Sequence, residues 1–250
     1  FPTRGIEGSG YSEQMADSSL GRKLLGWAAV LPIVAVAAVG AGGCFLRDPT
    51  RFQPAARFVT GRPVAVYFAG TAGLLPMGDE PDIATALRRQ GVPVLRVDTP
   101  SLFVGDKDRA YVDQLVDDSI RKALSASGAE HVALIGFTFG ADILDTGLGA
   151  VPPDLRHRIS SVVLIRPDPT VHFHAGPAWL RLHDVPDSDP HRTLRLLRGL
   201  SVTCIQADSD NLCASPGLEG MRRVSLAGPR PTFWQKRDLT AAATHAVLYP

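Results

Sequence analysis

No charge of one sign dominates this 250-residue sequence: 26 lysines and arginines stand against 25 aspartates and glutamates, a formal net charge of +1. That balance excludes the basic stripe by which a dedicated nucleic-acid binder neutralises phosphates. Internal repeats are missing, and the 24 glycines and 20 prolines mark turns without any collagen-like period. Neither a nucleotide-binding Gly-x-Gly-x-x-Gly nor a Walker lysine occurs, and no cofactor is expected. Cysteine is scarce, and no second Cys or His pair sits at ligand spacing beside Cys204 and Cys213, which argues against a zinc site. With 45% apolar and 20% charged residues the chain can nonetheless bury a full core, which rules out disorder. Its length suits one α/β domain with an appendage.

The appendage is N-terminal. Residues 24–46 carry no charged side chain, with Arg22 and Lys23 just before them and Arg47 just after. At about 1.5 Å per residue such a stretch can span the roughly 30 Å hydrocarbon core of a bilayer, although Pro32 and the run Gly40-Ala41-Gly42-Gly43 weaken it as a helix. If translation starts at Met15, residues 15–46 form a signal peptide or membrane anchor, and residues 1–14 are an upstream extension or a vector-derived scar. Cys44 after three small residues also fits a lipoprotein site, without the usual large aliphatic residue three positions earlier. Each alternative puts the rest of the chain outside the cytoplasm, tethered or exported. There the nine-residue spacing of Cys204 and Cys213 suits a disulfide. Residues 47–61 are expected to be a linker and 62–250 the folded domain.

Within that domain, short apolar runs alternate with helix-length amphipathic segments, the pattern of a parallel sheet covered on both faces. Strands are expected over 64–68, 92–97, 131–135, 161–165, 201–206 and 223–226. Pro93 marks an edge or a strand start. Helices are expected over 81–90, from an Asp106 or Asp108 cap to about 126, over 139–148, and over 235–247. Gly91 and Gly128 act as stops. The order predicts a doubly wound α/β domain.

Where the 131–135 strand meets the next helix stands Gly136-Phe137-Thr138-Phe139-Gly140. Gly-x-Ser-x-Gly in this position forms the sharp strand-to-helix turn of an α/β-hydrolase, whose glycines let strand and helix approach so that the central hydroxyl projects above the sheet. Thr138 supplies that hydroxyl here, with a β-branched methyl at a strained position.

The chain from about residue 64 onward resembles the VirJ/AcvB group of periplasmic α/β-hydrolase-like proteins. The resemblance rests on the elbow Gly136-Phe137-Thr138-Phe139-Gly140-Ala141-Asp142, on Gln90-Gly91-Val92-Pro93-Val94, and on Pro152-Pro153-Asp154-Leu155-Arg156 before an apolar strand. Phe173-His174 with Trp179, and Cys204-Ile205 with Cys213, agree in order. It implies an esterase scaffold, hydrolysis of lysyl-phosphatidylglycerol, and a link to virulence and type IV secretion. A lipid or aminoacyl-lipid substrate, the membrane through the N-terminal segment, and an envelope or secretion-system protein are the partners it suggests; no nucleic acid is expected.

Three departures bear on catalysis. The family serine is Thr138. The family's first loop, Gly-Asp-Gly-Gly, corresponds to Gly70-Thr71-Ala72-Gly73, which can still offer the Thr71 N–H beside that of Phe139 as an oxyanion hole. The acid is expected at Asp208 or Asp210, beyond the strand of Cys204, and the histidine should follow the 223–226 strand, where the chain has Gly228-Pro229-Arg230-Pro231 instead. His245, in the terminal helix, is the remaining candidate base. His172 and His174 follow the 161–165 strand and could overhang the elbow, His174 in binding, packing or proton transfer. Asp142 is expected either to bind or cap within the elbow helix or to lie on its surface near the positive N-terminal dipole. His183, Asp184, Asp187, Asp189 and His191 read as a solvated loop broken by Pro186 and Pro190 rather than as a metal site. Arg192, Arg195 and Arg198 form a solvated face or a contact for anionic headgroups. Two functions follow from different classes: an envelope esterase, or a hydrolase fold that binds without turnover.

Overall fold

A computed structural model describes residues 48–250 apart from 58, 71–80, 175–184, 208–211, 217, 219 and 227–235. The 24–46 segment and Cys44 lie outside the described residues. Among the described residues no helix is long and apolar enough to cross a membrane.

Among the described residues seven strands form one sheet: β1 Thr50–Gln53, β2 Val64–Ala69, β3 Val94–Asp98, β4 Val132–Phe137, β5 Ile159–Ile165, β6 Val202–Ala207 and β7 Arg222–Leu226. Their spatial order is β1-β3-β2-β4-β5-β6-β7, parallel throughout except for antiparallel β1. The helices are α1 Ile83–Arg89, α2 Thr99–Leu102, α3 Arg109–Ser127, α4 Phe139–Gly147, α5 Pro153–Arg156, α6 Pro190–Thr193 and α7 Lys236–Leu248. Asp108 caps α3 through a hydrogen bond from Tyr111 N, and Gly128 ends it in the left-handed region at φ 68°.

The central strands read as unbroken apolar runs because both faces of the sheet are covered. Alternate residues serve opposite layers: Val66, Phe68, Leu134 and Leu164 pack with Val116 and Ile120 of α3 and Leu144 of α4. Tyr67, Ile135 and Val163 pack with Ile83 and Leu87 of α1 and Leu239 and Ala243 of α7. Burying each such aliphatic side chain contributes roughly 1.5–3 kcal/mol, which makes β2, β4 and β5 the rigid base of whatever sits at their C-terminal ends.

One expectation changes. The 47–61 stretch contains an edge strand, since Thr50–Gln53 pairs with β3. Lys122 Nζ meets Thr50 O at 3.2 Å and Arg88 Nε meets Pro54 O at 2.8 Å, and these helix side chains hold it in place. Four residues, Thr-Arg-Phe-Gln, carry too little alternation to announce a strand. Pro93 precedes β3 and so marks a strand start; β3 is flanked on both sides.

Candidate active site

The turn from β4 into α4 has the geometry its glycines require. Thr138 takes φ 47° and ψ −118°, a conformation that L residues with a side chain rarely adopt. Its N–H donates to Ile165 O at 2.8 Å, and its carbonyl accepts from Ala141 N at 2.7 Å and Asp142 N at 3.2 Å. The strain is therefore held by the neighbouring strand on one side and the helix on the other. A Cβ on Gly136 would lie 2.7 Å from Gly140 O and 2.8 Å from Ala141 N. A Cβ on Gly140 would lie 2.6 Å from Phe68 C and 3.1 Å from Ala69 C, so α4 starts against the backbone of β2. Gly70, at the end of β2, faces the Phe137 carbonyl and the Thr138 hydroxyl so closely that no Cβ fits between them. The first loop thus begins in contact with the nucleophile position.

Phe139 N makes no hydrogen bond among the described residues, and it lies at the positive end of α4, as an oxyanion donor should. Thr71, the second expected donor, lies outside the described residues, as do Asp208 and Asp210. The Phe139 ring packs edge-to-face on Phe103 at 5.2 Å, within an apolar cluster that includes Ile143, Val171 and Phe173. An apolar wall therefore flanks the elbow.

The disulfide joins Cys204 of β6 to Cys213, with Cα atoms 6.3 Å apart, and closes the loop that contains Asp208 and Asp210. Closing so short a loop removes about 2–3 kcal/mol of unfolded-state entropy. Cys204→Ser should lower the unfolding free energy by about that amount. Thiol labelling of protein isolated under non-reducing conditions should leave Cys204 and Cys213 unmodified; reaction at both would sink this assignment.

The candidate bases are placed as follows. His245 is exposed on α7, its ring 5.0 Å from that of Tyr249. It lies nine residues past the helix start, about 14 Å along the axis. His174 is half-buried with Nδ1 3.5 Å from Asp106 Oδ1, and His172 Nδ1 lies 4.0 Å from Asp187 Oδ2. Among the described residues no imidazole hydrogen-bonds the Thr138 hydroxyl.

Asp142 is not a surface carboxylate. It is buried, and its Oδ1 accepts from Asp168 N at 2.8 Å, tying the loop after β5 to the elbow helix. Burial pushes its pKa well above the carboxylate range, and Asp145 and Asp168 nearby push it further. Asp145, one turn on, was not foreseen from the sequence. It is fully buried and raised to about 8 by desolvation, against hydrogen bonds from the hydroxyls of Thr146 at 3.1 Å and Thr193 at 3.3 Å. Helical spacing alone offers no signal for it, because α6 covers that face only in the fold.

Asp187 accepts from Phe173 N at 2.8 Å and Asp189 caps α6 through His191 N at 2.9 Å, so both serve the backbone; His183 and Asp184 lie outside the described residues. Arg192, Arg195 and Arg198 are exposed. A cavity of about 590 Å³ lies at the other end of the sheet, lined by Phe52, Arg62, Pro93 and His131 at the N-terminal ends of the strands. Ligands of doubly wound sheets bind at the C-terminal ends, where the elbow is.

Residues 63–247 match the family model described as bacterial virulence protein (VirJ). Curated protein sequences give no match. Among solved structures the chain is similar to Est1E from Butyrivibrio proteoclasticus, with TM-score 0.58 and 12% identity over 80% of this chain and 92% of that one. It is also similar to proline iminopeptidase from Mycobacterium smegmatis (TM-score 0.54, 10% identity, 80% and 93% covered). A third is MenH from S. aureus (TM-score 0.52, 12% identity, 81% and 98% covered). At these identities the likeness establishes the fold, which is that of an α/β-hydrolase.

Proposed function

The chain belongs to the VirJ family of bacterial virulence proteins, and from that premise we propose that it is an extracytoplasmic carboxylic-ester hydrolase with Thr138 at the nucleophile position. The observation that carries this is the elbow itself: a threonine kept at φ 47° between two glycines that admit no Cβ, with the Phe139 N–H open beside it. Such strain, held from both sides, serves to present a hydroxyl rather than to stabilise a turn. The family and the disulfide support a location outside the cytoplasm. The aminoacyl ester of phosphatidylglycerol is the substrate implied by resemblance, and the apolar 24–46 segment would hold the domain near that lipid.

In this reading Thr138 Oγ1 gives its proton to the base and adds to the ester carbonyl, with the developing oxyanion met by Phe139 N–H and by Thr71 N–H. The C–O bond to the alcohol breaks as the alcohol takes that proton, and water then cleaves the acyl-threonine by the same route to release the carboxylic acid and restore the hydroxyl. Asp208 or Asp210 would supply the acid. The half-buried His174, paired with Asp106, is the imidazole most suited to move the proton once substrate is bound, because catalytic hydrogen bonds often tighten only in the complex.

One observation favours a second reading. No histidine stands in the sequence 227–235, where the fold expects its base, and a hydroxyl without a base is a weak nucleophile at neutral pH. The alternative is a hydrolase fold that binds a lipid or a secretion-system component without turnover.

The test is hydrolysis of 4-nitrophenyl acetate and of lysyl-phosphatidylglycerol by the full chain in mild detergent. Slow turnover by the native protein is expected, abolished in Thr138→Ala and raised about tenfold in Thr138→Ser, whose unbranched side chain relieves crowding at the elbow. His174→Gln should lower kcat by roughly 100-fold if it moves the proton. Inactivity of every folded variant would overturn the esterase and leave the binding protein.

A further inference from the structure

Arg166 stands in register beside the elbow, and neither the fold nor the hydrolytic chemistry accounts for it. The residue before it, Ile165, accepts Thr138 N–H at 2.8 Å, and Arg166 N itself donates to Ile205 O of β6 at 2.8 Å. Arg166 is thus the first residue past the C-terminal end of β5, the strand adjacent to the one that delivers Thr138. Its backbone takes φ 53°, and it is, with Thr138, one of two non-glycine residues in the left-handed region among those described. That conformation costs on the order of 1 kcal/mol. Two residues on, Asp168 N is held by buried Asp142 of the elbow helix at 2.8 Å. Strand β6 and helix α4 together fix where this arginine stands.

Among the described residues the buried Nε of Arg166 has no partner: its N–H donates to no acceptor, and the guanidinium forms no ion pair. A buried N–H left unsatisfied costs about 1–3 kcal/mol, and more for a charged group. Strain and an orphaned donor at one residue, next to the strained nucleophile position, make sense if a ligand completes the site. A guanidinium presents a planar fork of donors that matches the oxygens of a phosphate or a carboxylate. Neighbouring strands lie about 4.8 Å apart, so an anion held there would be only a few bonds from the atom offered to Thr138.

We propose that Arg166 recognises an anionic oxygen group, a phosphate or a carboxylate, on the molecule that occupies the elbow cleft. Asp142 acts as a positioning residue, through Asp168 N. The inference rests on the elbow cleft being the binding site, as in the esterase reading, but it does not require turnover.

The experiment is thermal unfolding of the full chain in mild detergent, at constant ionic strength, with millimolar inorganic phosphate or with dihexanoyl phosphatidylglycerol below its micellar concentration, each against chloride. A ligand that binds only the folded state raises the midpoint by mass action. The native protein should be protected, Arg166→Gln should not, and Arg166→Lys should need at least tenfold more ligand for the same shift. Protection by the lipid alone identifies a headgroup diester, and protection by phosphate alone a free phosphate; both support the assignment. If native protein and Arg166→Gln respond alike to both ligands, or if neither ligand protects the native protein, the proposal fails. Turnover adds a separate arm: Arg166→Gln should raise the ratio of KM for the anionic 4-nitrophenyl hemisuccinate to KM for neutral 4-nitrophenyl acetate at least tenfold. Anion protection without hydrolysis would remove the esterase and keep the anion site, whereas hydrolysis without anion protection would do the reverse.

Discussion

Gly140→Ala is expected to destabilise the protein by at least about 3 kcal/mol, seen as a large drop in the denaturant midpoint or as loss of folded protein on expression. Helix propensity predicts the opposite sign, since alanine in the first turn of α4 is worth up to about 1 kcal/mol over glycine. Contact decides against propensity here. The new methyl would meet the Phe68 carbonyl carbon at 2.6 Å and Ala69 C at 3.1 Å, and these are backbone atoms of β2, held between β3 and β4. Nothing there can rotate away, so α4 must lift off the sheet and carry Thr138 with it. Gly136→Ala should behave alike, because its methyl would overlap the Gly140 and Ala141 backbone of the same turn. Gly220→Ala is the control: no atom lies within 4 Å of its methyl, and a change within about 0.5 kcal/mol is expected. Equal midpoints for Gly140→Ala and Gly220→Ala would show that strand and helix do not approach as described.

The second large effect is a loss of stability as pH rises. Asp145 ionises near 3.8 in the unfolded chain and near 8 in the fold, where it has no contact with solvent. Between those two values the folded protein keeps a proton that the unfolded chain has released. Each pH unit in that window therefore lowers the unfolding free energy by up to about 1.4 kcal/mol, and the slope from this group vanishes once both forms are ionised above about pH 8. Below about pH 4 both forms are protonated and the full stability is present. Asp142, raised in the same direction by burial, steepens the decline. Arg109 attracts the Asp145 charge but does not offset its desolvation; its own guanidinium is engaged with Asp113 at 2.7 Å and Thr146 O at 2.8 Å. Asp145→Asn keeps the shape and can still accept from Thr146 and donate to Thr193. It should raise the unfolding midpoint at about pH 8 and remove roughly half of the slope between about pH 5 and 8. Urea titrations of both proteins across that range provide the measurement, and parallel curves would show that Asp145 is not buried as an acid.

Much of the fold was legible because its signals are local. Val64, Val66 and Phe68 alternate with Ala65 and Tyr67 in a strand apolar on both faces, which already implies helices on each side. The elbow was legible because Gly-x-Thr-x-Gly is a five-residue pattern in which Gly136 meets the Gly140 and Ala141 backbone, whereas the contact that demands Gly140, with Phe68 and Ala69 of β2, comes from far along the chain. The Cys204–Cys213 pair follows from its spacing together with the expected location outside the cytoplasm. Edge strand β1 is not legible because four residues with a single apolar one, Phe52, reveal their pairing only when Val94–Asp98 lies beside them.

The sequence by itself therefore determined the α/β layering, the strand-to-helix turn at Thr138 and the lack of a histidine where the fold expects one. Each of these depends on residues near one another in the chain. Tertiary structure alone decided that Asp142 and Asp145 are buried, that His245 lies far down an exposed helix face, and that Arg166 stands beside the nucleophile position with an orphaned donor. Desolvation and hydrogen-bond satisfaction are properties of what packs over a side chain. In this chain the covering atoms come from dozens of residues away, such as Thr193 over Asp145.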